Sequence, residues 1–290
     1  MNTGTDPSDH GIDALLPVEI AQKAEALGVQ KTRMDTLGLM ALAILAGAFI
    51  ALGAMFATTV LAGADGVIPF GVSRLLSGVV FCLGLILVVV GGAELFTGNT
   101  LMVMAWAAGK VRMIEILRAW LIVYIGNFVG AIGTAALVFL SGQYLFGRGS
   151  VAGVALNIAL TKVTLSFDHA LFLGILCNVL VCLAVWLAFG ARSTTDKILA
   201  VLFPVSAFVV AGFEHSVANM YLIPLGLFIK MWAPGALWAQ IGSTSGNFEA
   251  LTWPAFFVSL VPVTIGNIIG GGGLVGGVYW FIYLRHRRPG

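Results

Sequence analysis

The chain has 290 residues, of which 59% are hydrophobic and only 10% carry a formal charge. Soluble globular proteins have about 25% charged residues, so the composition excludes a water-exposed globule and indicates an integral membrane protein. The net charge of +2 is small and the basic residues are scattered, which argues against a nucleic-acid partner. The three cysteines lie in apolar runs without zinc-like or CxxC spacing, so we expect packing roles for them and neither a metal nor a cofactor.

Residues 1–34 are the only soluble-looking stretch of the chain. They contain no apolar run typical of a signal peptide. One helical face carries Leu16, Ile20, Ala24 and Leu27. Pro17 is a residue that favours the first turn of a helix. The pattern predicts a cytoplasmic N-terminal segment with a short amphipathic helix at the membrane surface or against neighbouring loops.

Six apolar regions follow, and a membrane-crossing helix needs about 20 such residues. Four are of suitable length: residues 37–62, 119–146, 170–191 and 255–284. Two are too long for one span and are interrupted by titratable residues: residues 75–109 contain Glu94, and residues 198–229 contain Glu214 and His215. We therefore predict an all-α integral membrane domain over residues 35–285, with six transmembrane helices of which the second and fifth are broken, and a short cytoplasmic tail at 286–290.

The two interruptions resemble each other. Both have the pattern G-x-E-x-x-x-x-N, which places Glu94 with Asn99 and Glu214 with Asn219. The following full span of each half carries G-N-x-x-G, with Asn127 in the first half and Asn267 in the second. Each half has an odd number of spans, so the halves run in opposite directions and form an inverted three-helix repeat. In such folds the site lies near the midplane, where the broken helices meet.

The basic residues indicate the orientation in the membrane. With the N-terminus inside, eleven of the fifteen Lys and Arg residues fall in inner segments, and only Arg74, Arg148, Lys162 and Lys230 fall in outer ones. Because cytoplasmic loops carry the excess of Lys and Arg, we expect both termini in the cytoplasm.

Few titratable groups lie at membrane depth. His215 is the only histidine there, and since an intramembrane ionisable residue is rare and functional by default, it is the leading candidate for the chemistry; the alternative is a neutral histidine that caps the broken helix. Glu94 and Glu214 are expected to bind N–H groups of the half-helix N-termini, with Glu214 also orienting His215. His215 has no counterpart in the first half, where Leu95 occupies its place.

These residues resemble the formate/nitrite transporter family. The resemblance runs from about residue 37 to residue 285 and is carried by GAELFTGNT (92–100), ILCNVLVCLAVW (175–186), GFEHSVANMYLIP (212–224) and VPVTIGNIIGGG (261–272). It implies an aquaporin-like fold and a homopentamer with one pore per protomer in the bacterial inner membrane. It also implies passage of small monovalent anions of weak acids.

The resemblance further implies roles for individual residues. The central histidine and its neighbouring acid fall on His215 and Glu214, the loop threonine on Thr97, and the vestibule lysine on Lys162. The substrate path would include Asn178, Asn267 and Asn219, with an outer apolar constriction at Phe81 and Phe208 and an inner one at Leu85 and Leu95. The phenylalanine pair is similar to the formate branch. Gly98 and Asn99 after Thr97 are closer to nitrite and hydrosulfide members, so formate is the expected substrate and nitrite or hydrosulfide the alternative.

The sequence suggests a mechanism as well. A bare anion in an apolar constriction loses its hydration at a large cost. We expect Lys162 to attract the anion, Thr97 to hold it beside His215, and a proton to reach it directly or through His215. A channel without proton chemistry stays open as an alternative. An intramembrane enzyme is disfavoured, since neither G-x-S-x-G nor H-E-x-x-H is present, and a water channel would carry two Asn-Pro-Ala caps.

Overall fold

The computed structural model describes residues 13–286, which form helices and their connections without a β-strand in that range. Thirteen α-helices follow in chain order. They are α1 (Pro17–Thr32), α2 (Thr36–Leu61), α3 (Phe70–Gly91), α4 (Phe96–Asn99), α5 (Val103–Ala107), α6 (Met113–Leu140), α7 (Ser150–Val163), α8 (Phe167–Gly190), α9 (Thr194–Val210), α10 (Ser216–Trp232), α11 (Gly235–Gln240), α12 (Trp253–Ile268) and α13 (Val278–Tyr283).

Five segments of the described chain are long and apolar enough to cross a membrane: α2, α3, α6, α8 and the C-terminal stretch Ser245–Tyr283. Exposed leucine, isoleucine and phenylalanine side chains on these helices are suited to contact with lipid rather than water. The bounds predicted for the third span, 119–146, are wrong by six residues, because α6 already begins at Met113. Its start is stabilised by Glu115, whose carboxylate accepts the backbone N–H of Arg112 at 2.7 Å.

The helical path is interrupted after α3. The chain leaves the helix at Gly92, whose φ of 79° is left-handed, a conformation that costs other L-residues roughly 1–2 kcal/mol. The N–H groups of Gly92 and Ala93 both donate to the carbonyl of Val88, at 3.1 and 2.9 Å. Helical structure resumes at Phe96 and runs through a short 3₁₀ turn into α5. Residues 92–95 are the first break.

A matching interruption separates α9 from α10. Gly212 has a φ of 72°, and the N–H of Phe213 donates to the carbonyl of Phe208 at 3.0 Å. Residues 211–215 are the second break, and α10 then begins at Ser216. Each interruption contains one glutamate, Glu94 in the first and Glu214 in the second.

Glycines let the helices beside the breaks approach closely. On α6, a Cβ added at Gly130 would overlap the carbonyl oxygen of Ile44 in α2. At the start of the widened π-helical stretch that follows α12, a Cβ at Gly270 would overlap the carbonyl oxygen of Ile175 in α8. Small residues in this spacing permit close packing of membrane helices. The glycines of both G-N-x-x-G motifs therefore bring Asn127 and Asn267 against the breaks.

The first helix lies against the helices at one end of the bundle. Ile20, Ala21 and Ala24 of α1 are buried in one cluster with Met104 and Trp186. On the same helix, the buried carboxylate of Glu25 forms an ion pair with Lys110 at 2.6 Å. Residues 1–12 of the predicted N-terminal segment, and residues 287–290 of the predicted tail, lie outside the described residues.

Candidate functional site

Two cavities lie at opposite ends of α2. The first has a volume of about 330 Å³, and Thr58 and Leu61 near the end of α2 line it. The second has a volume of about 430 Å³ and is lined by Leu42, near the start of α2. The first is the Lys162 cavity, lined also by Arg74, Phe81, Lys162, Phe208, Glu214 and His215. The second is the Lys31 cavity, lined also by Lys23, Lys31, Leu85, Glu94, Leu95 and Lys197.

Only a thin wall separates the two cavities along α3. Phe81 lines the Lys162 cavity, and Leu85, four residues later, lines the Lys31 cavity. Four residues of α-helix rise about 6 Å. On the side of the breaks, His215 faces the Lys162 cavity and Leu95 faces the Lys31 cavity. The residues predicted as constrictions thus lie on the two faces of one apolar wall.

Aromatic rings form the Lys162 side of this wall. The rings of Phe81 and Phe208 meet edge to face, with centroids 5.6 Å apart. The ring of Phe208 in turn stacks on the imidazole of His215, with centroids 5.9 Å apart and planes 19° from parallel. The imidazole is therefore a polar group set beside two aromatic rings.

His215 makes one hydrogen bond through each ring nitrogen. The backbone N–H of Ala218 donates to Nδ1 at 3.0 Å, which makes His215 the N-cap of α10. Because Nδ1 accepts this bond, the hydrogen-bond pattern assigns the proton of the neutral ring to Nε2. Nε2 lies 3.0 Å from the Thr97 hydroxyl oxygen in the other broken segment. The Thr97–His215 hydrogen bond therefore joins α4, which follows the first break, to the second break at the wall.

Glu214 does not orient the imidazole, contrary to the sequence-based expectation. Its carboxylate accepts hydrogen bonds from Lys162 Nζ and from Asn219 Nδ2, both at 2.7 Å, and among residues 13–286 no hydrogen bond joins it to the His215 ring. The Ala218 N–H fixes the ring instead. Glu214 and His215 are neighbours in an irregular segment, and their side chains bind different partners. Their adjacency in the sequence did not reveal this difference.

The half-helix N-termini are bound by asparagines, not by the carboxylates that the sequence suggested. Asn267 accepts the N–H of Ser216, the first residue of α10, at 3.0 Å, and donates to the carbonyls of Gly174 and Glu214 at 2.8 and 3.0 Å.

In the first half, Asn127 makes the matching hydrogen bonds at the N-terminus of α4. It accepts the N–H of Phe96 at 2.9 Å and donates to the carbonyls of Ala43 and Glu94 at 2.7 and 2.9 Å. A side-chain amide can do both because it carries two donors and an acceptor, whereas a carboxylate only accepts.

The asparagines predicted for the substrate path lie behind the wall. Asn178, Asn219 and Asn267 are buried and line neither cavity. Asn178 donates to the carbonyls of Asn267 and Thr97 at 2.6 and 3.2 Å, which connects α12 to α4. In this structure the three asparagines support the breaks.

Sequence reasoning missed Lys31. Its Nζ lies 2.8 Å from a Glu94 carboxylate oxygen and donates to Asn99 Oδ1 at 2.6 Å, and Asn99 Nδ2 donates to Glu94 at 2.8 Å. Lys31, Glu94 and Asn99 therefore match Lys162, Glu214 and Asn219. A signal was present in the sequence: each lysine stands four residues before the N-cap of the next helix, Asp35 or Ser166. The repeat thus extends upstream to α1 and α7.

Known proteins match this chain over nearly its whole length. The formate/nitrite transporter family model matches residues 18–281. The chain is 46% identical over 279 residues to "Formate channel FocA" of Escherichia coli, which covers 96% of this chain and 98% of the relative. It is 39% identical over 274 residues to "Formate channel FocA" of Haemophilus influenzae, with 94% and 96% covered.

A solved structure shares the fold. "Pentameric formate channel with formate bound" superposes with a TM-score of 0.82 at 43% identity and covers 86% of this chain and 98% of that one. Because the family model matches most of the chain and relatives at 46% and 39% identity align with nearly all of it, the chain belongs to the formate/nitrite transporter family.

Proposed function

We propose that the chain forms a transmembrane path for small monovalent anions of weak acids, with formate as the main substrate. The observation that carries this proposal is the pair of cavities that approach each other from opposite ends of α2 and are separated by one helical turn at Phe81 and Leu85. The Thr97–His215 hydrogen bond lies at this wall. The family membership and the formate channels among its relatives support the choice of substrate.

The proposed architecture has six spans in a domain covering residues 35–285. The second span comprises α3 to α5 and the fifth comprises α9 and α10, each with its break. The matching contacts of Asn127 and Asn267 with the two breaks support an inverted, aquaporin-like repeat. The Lys31 cavity would open to the cytoplasm, with both termini on that side of a bacterial inner membrane. The pentameric neighbour supports a homopentamer with one path per protomer.

Charge is the main obstacle along this path. The aromatic pair Phe81 and Phe208 offers no hydrogen bond to replace the anion's hydration, and moving an unpaired ion into a low-dielectric region costs many kcal/mol. A weak acid avoids that cost if it crosses in its neutral form. We propose that formate takes up a proton in the cavity and crosses the wall as formic acid.

The geometry of His215 favours a particular part in this step. With Nδ1 already accepting the Ala218 N–H, the ring can gain a proton only if that helix-capping bond breaks. The neutral ring has its Nε2–H directed at the Thr97 hydroxyl, and this hydrogen bond would be exchanged for one to the substrate as the molecule passes. We propose that His215 serves as a hydrogen-bond donor to the substrate, and that a hydronium ion from the bulk solution, relayed through water in the cavity, supplies the proton and leaves as water. Transfer through the imidazole is the competing route.

Uptake by proteoliposomes tests the proposed function. The purified protein is reconstituted, and formate, nitrite and hydrosulfide uptake are compared at two pH values. We expect formate to be fastest and its rate to rise at the lower pH, because a larger fraction then carries the proton. Faster nitrite or hydrosulfide uptake would favour the alternative substrate, and no uptake above protein-free vesicles would refute the proposal.

Two substitutions at His215 separate the competing routes. His215→Asn keeps an N-cap and a neutral donor but cannot carry a proton, so we expect the pH profile of formate uptake to be retained. His215→Phe removes both the cap and the donor, and the loss of a hydrogen bond between neutral groups, about 0.5–1.5 kcal/mol, predicts a roughly 2- to 12-fold slower uptake. The rates are measured in the same vesicles.

Assembly of both variants is checked by size-exclusion chromatography, so that slow uptake is not mistaken for misfolding. A pH-independent rate in His215→Asn, with wild-type assembly, would contradict the hydrogen-bond role and establish proton transfer through the imidazole.

A further inference from the structure

The positive charge of Lys162 is neutralised by the adjacent carboxylate of Glu214. Its ammonium lies 2.7 Å from a Glu214 carboxylate oxygen, and both side chains line the same cavity. A cation and a carboxylate in contact present little net charge to an ion approaching from a distance. Lys162 alone therefore leaves the cavity nearly neutral, and a positive potential that attracts anions needs a second cation.

Arg74 is such a cation, and it lines the Lys162 cavity from α3. Its Nη2 donates to the carbonyl of Val209 at 2.7 Å and its Nε to the carbonyl of Val210 at 3.4 Å. Both acceptors are neutral backbone groups. Within residues 13–286 no carboxylate forms an ion pair with Arg74. Of the five N–H donors of a guanidinium group, these bonds use two.

The position of the guanidinium places it beside the wall. Val209 and Val210 are the last residues of α9, and their carbonyls belong to the negative end of that helix. A Cβ added at Gly212, in the second break, would lie 3.3 Å from Arg74 Nη2. The charge thus lies at the segment that leads directly to His215.

The Lys31 cavity has the same arrangement of charge. Lys31 is paired with Glu94 at 2.8 Å, whereas Lys23 donates to the backbone carbonyl of Phe189 at 2.8 Å, and Lys197 lines the cavity beside it. Burial lowers the pKa of Lys23, and the nearby charges of Lys197 and Arg192 lower it further. Among the described residues 13–286, each cavity therefore combines one neutralised lysine with at least one cation that forms no ion pair with a carboxylate.

We propose that Arg74, rather than Lys162, supplies the net positive charge that draws a small monovalent anion into the Lys162 cavity. Arg74 also binds the end of α9 and so holds its charge close to the wall. The lysine of the Lys162–Glu214 pair acts at shorter range, as a hydrogen-bond donor. This inference rests on the proposed function, because it concerns how the transported anion reaches the wall.

The experiment measures initial formate uptake by proteoliposomes at about 0.01 M and about 0.15 M salt, where the screening length falls from about 30 to about 8 Å. We expect wild-type uptake to be faster at low salt. Arg74→Gln should slow uptake roughly three- to tenfold at low salt and remove most of the salt dependence. Arg74→Lys keeps the charge and should retain the salt dependence.

The matched control is Lys230→Gln. Lys230 also donates to two backbone carbonyls, those of Glu249 and Leu251, but it lines neither cavity, so its removal should leave the rate and salt dependence unchanged. Wild-type rate and salt dependence in Arg74→Gln would overturn the inference. Equal losses of uptake rate in Arg74→Lys and Arg74→Gln would also overturn it. In that case the two hydrogen bonds from the guanidinium group to the backbone carbonyls would matter, and not the charge. A wild-type protein that carries no anion would instead refute the proposed function.

Discussion

Asn267→Leu is expected to destabilise the protein by about 2–6 kcal/mol. Leucine has nearly the same size, but it orphans the N–H of Ser216 and the carbonyl of Glu214, which Asn267 binds at 3.0 Å each. A buried polar group without a partner costs about 1–3 kcal/mol, and no water within the bilayer core replaces the lost bonds. Thermal unfolding of the detergent-solubilised protein measures the loss.

The chain offers two comparisons for this variant. Asn127→Leu should cause a loss of similar size, because Asn127 makes the same bonds to the first break. Asn157→Leu is the control, since Asn157 is exposed in the Lys162 cavity; its unfolding temperature should stay close to that of the wild type. Equal unfolding temperatures for Asn267→Leu and Asn157→Leu would contradict the proposed role of the buried amide.

Lys162→Met is expected to cost about 3–5 kcal/mol, the usual loss when one partner of a buried ion pair is removed. The side chains of Lys162 and Glu214 are only 14% and 5% exposed, so the substitution leaves the Glu214 carboxylate without a counter-charge in a poorly solvated site. Glu214→Gln in the same chain removes that charge and keeps an acceptor for Asn219. The double variant should therefore recover most of the lost stability.

The wild type, the two single variants and the double variant of Lys162 and Glu214 form a double-mutant cycle. The same cycle on Lys31 and Glu94 provides a comparison. These two side chains are 23% and 11% exposed, so water screens the charges better and Lys31→Met should cost less than Lys162→Met. The four unfolding free energies of each cycle give the coupling between the partners. A double variant as unstable as Lys162→Met would contradict the view that the orphaned carboxylate is the cause.

Much of this organisation could be predicted because charge is so rare in the chain. Glu94 and Glu214 mark the points where α3 and α9 end, since a carboxylate at membrane depth requires an irregular, polar surrounding. The glycines at 92 and 212, with φ of 79° and 72°, stand where those helices stop. The resemblance to the formate/nitrite transporter family, drawn from the same segments, is confirmed by the match over residues 18–281.

What the sequence did not reveal is which group reaches which partner. A carboxylate and a side-chain amide both accept hydrogen bonds, so only the packing of α6 and α12 shows that Asn127 and Asn267 bind the half-helix N–H groups. The pairing of Lys31 with Glu94 joins residues far apart in the chain, and the only sequence signal noted for it is that Lys31 and Lys162 each stand four residues before a helix N-cap. The adjacency of Glu214 and His215 suggested a pair, although their side chains bind different partners.

The hydrogen bonds at the breaks have a consequence for how the chain is made. The carboxylate and asparagine contacts of the first break involve residues between Lys31 and Asn127, and those of the second involve residues between Lys162 and Asn267. The first half can therefore complete its polar network before the second half has been synthesised, and the second half needs no residue of the first for its own. A protein cut in the connection between α6 and α7 would keep both networks intact, and its two fragments, produced separately, should reassemble when mixed.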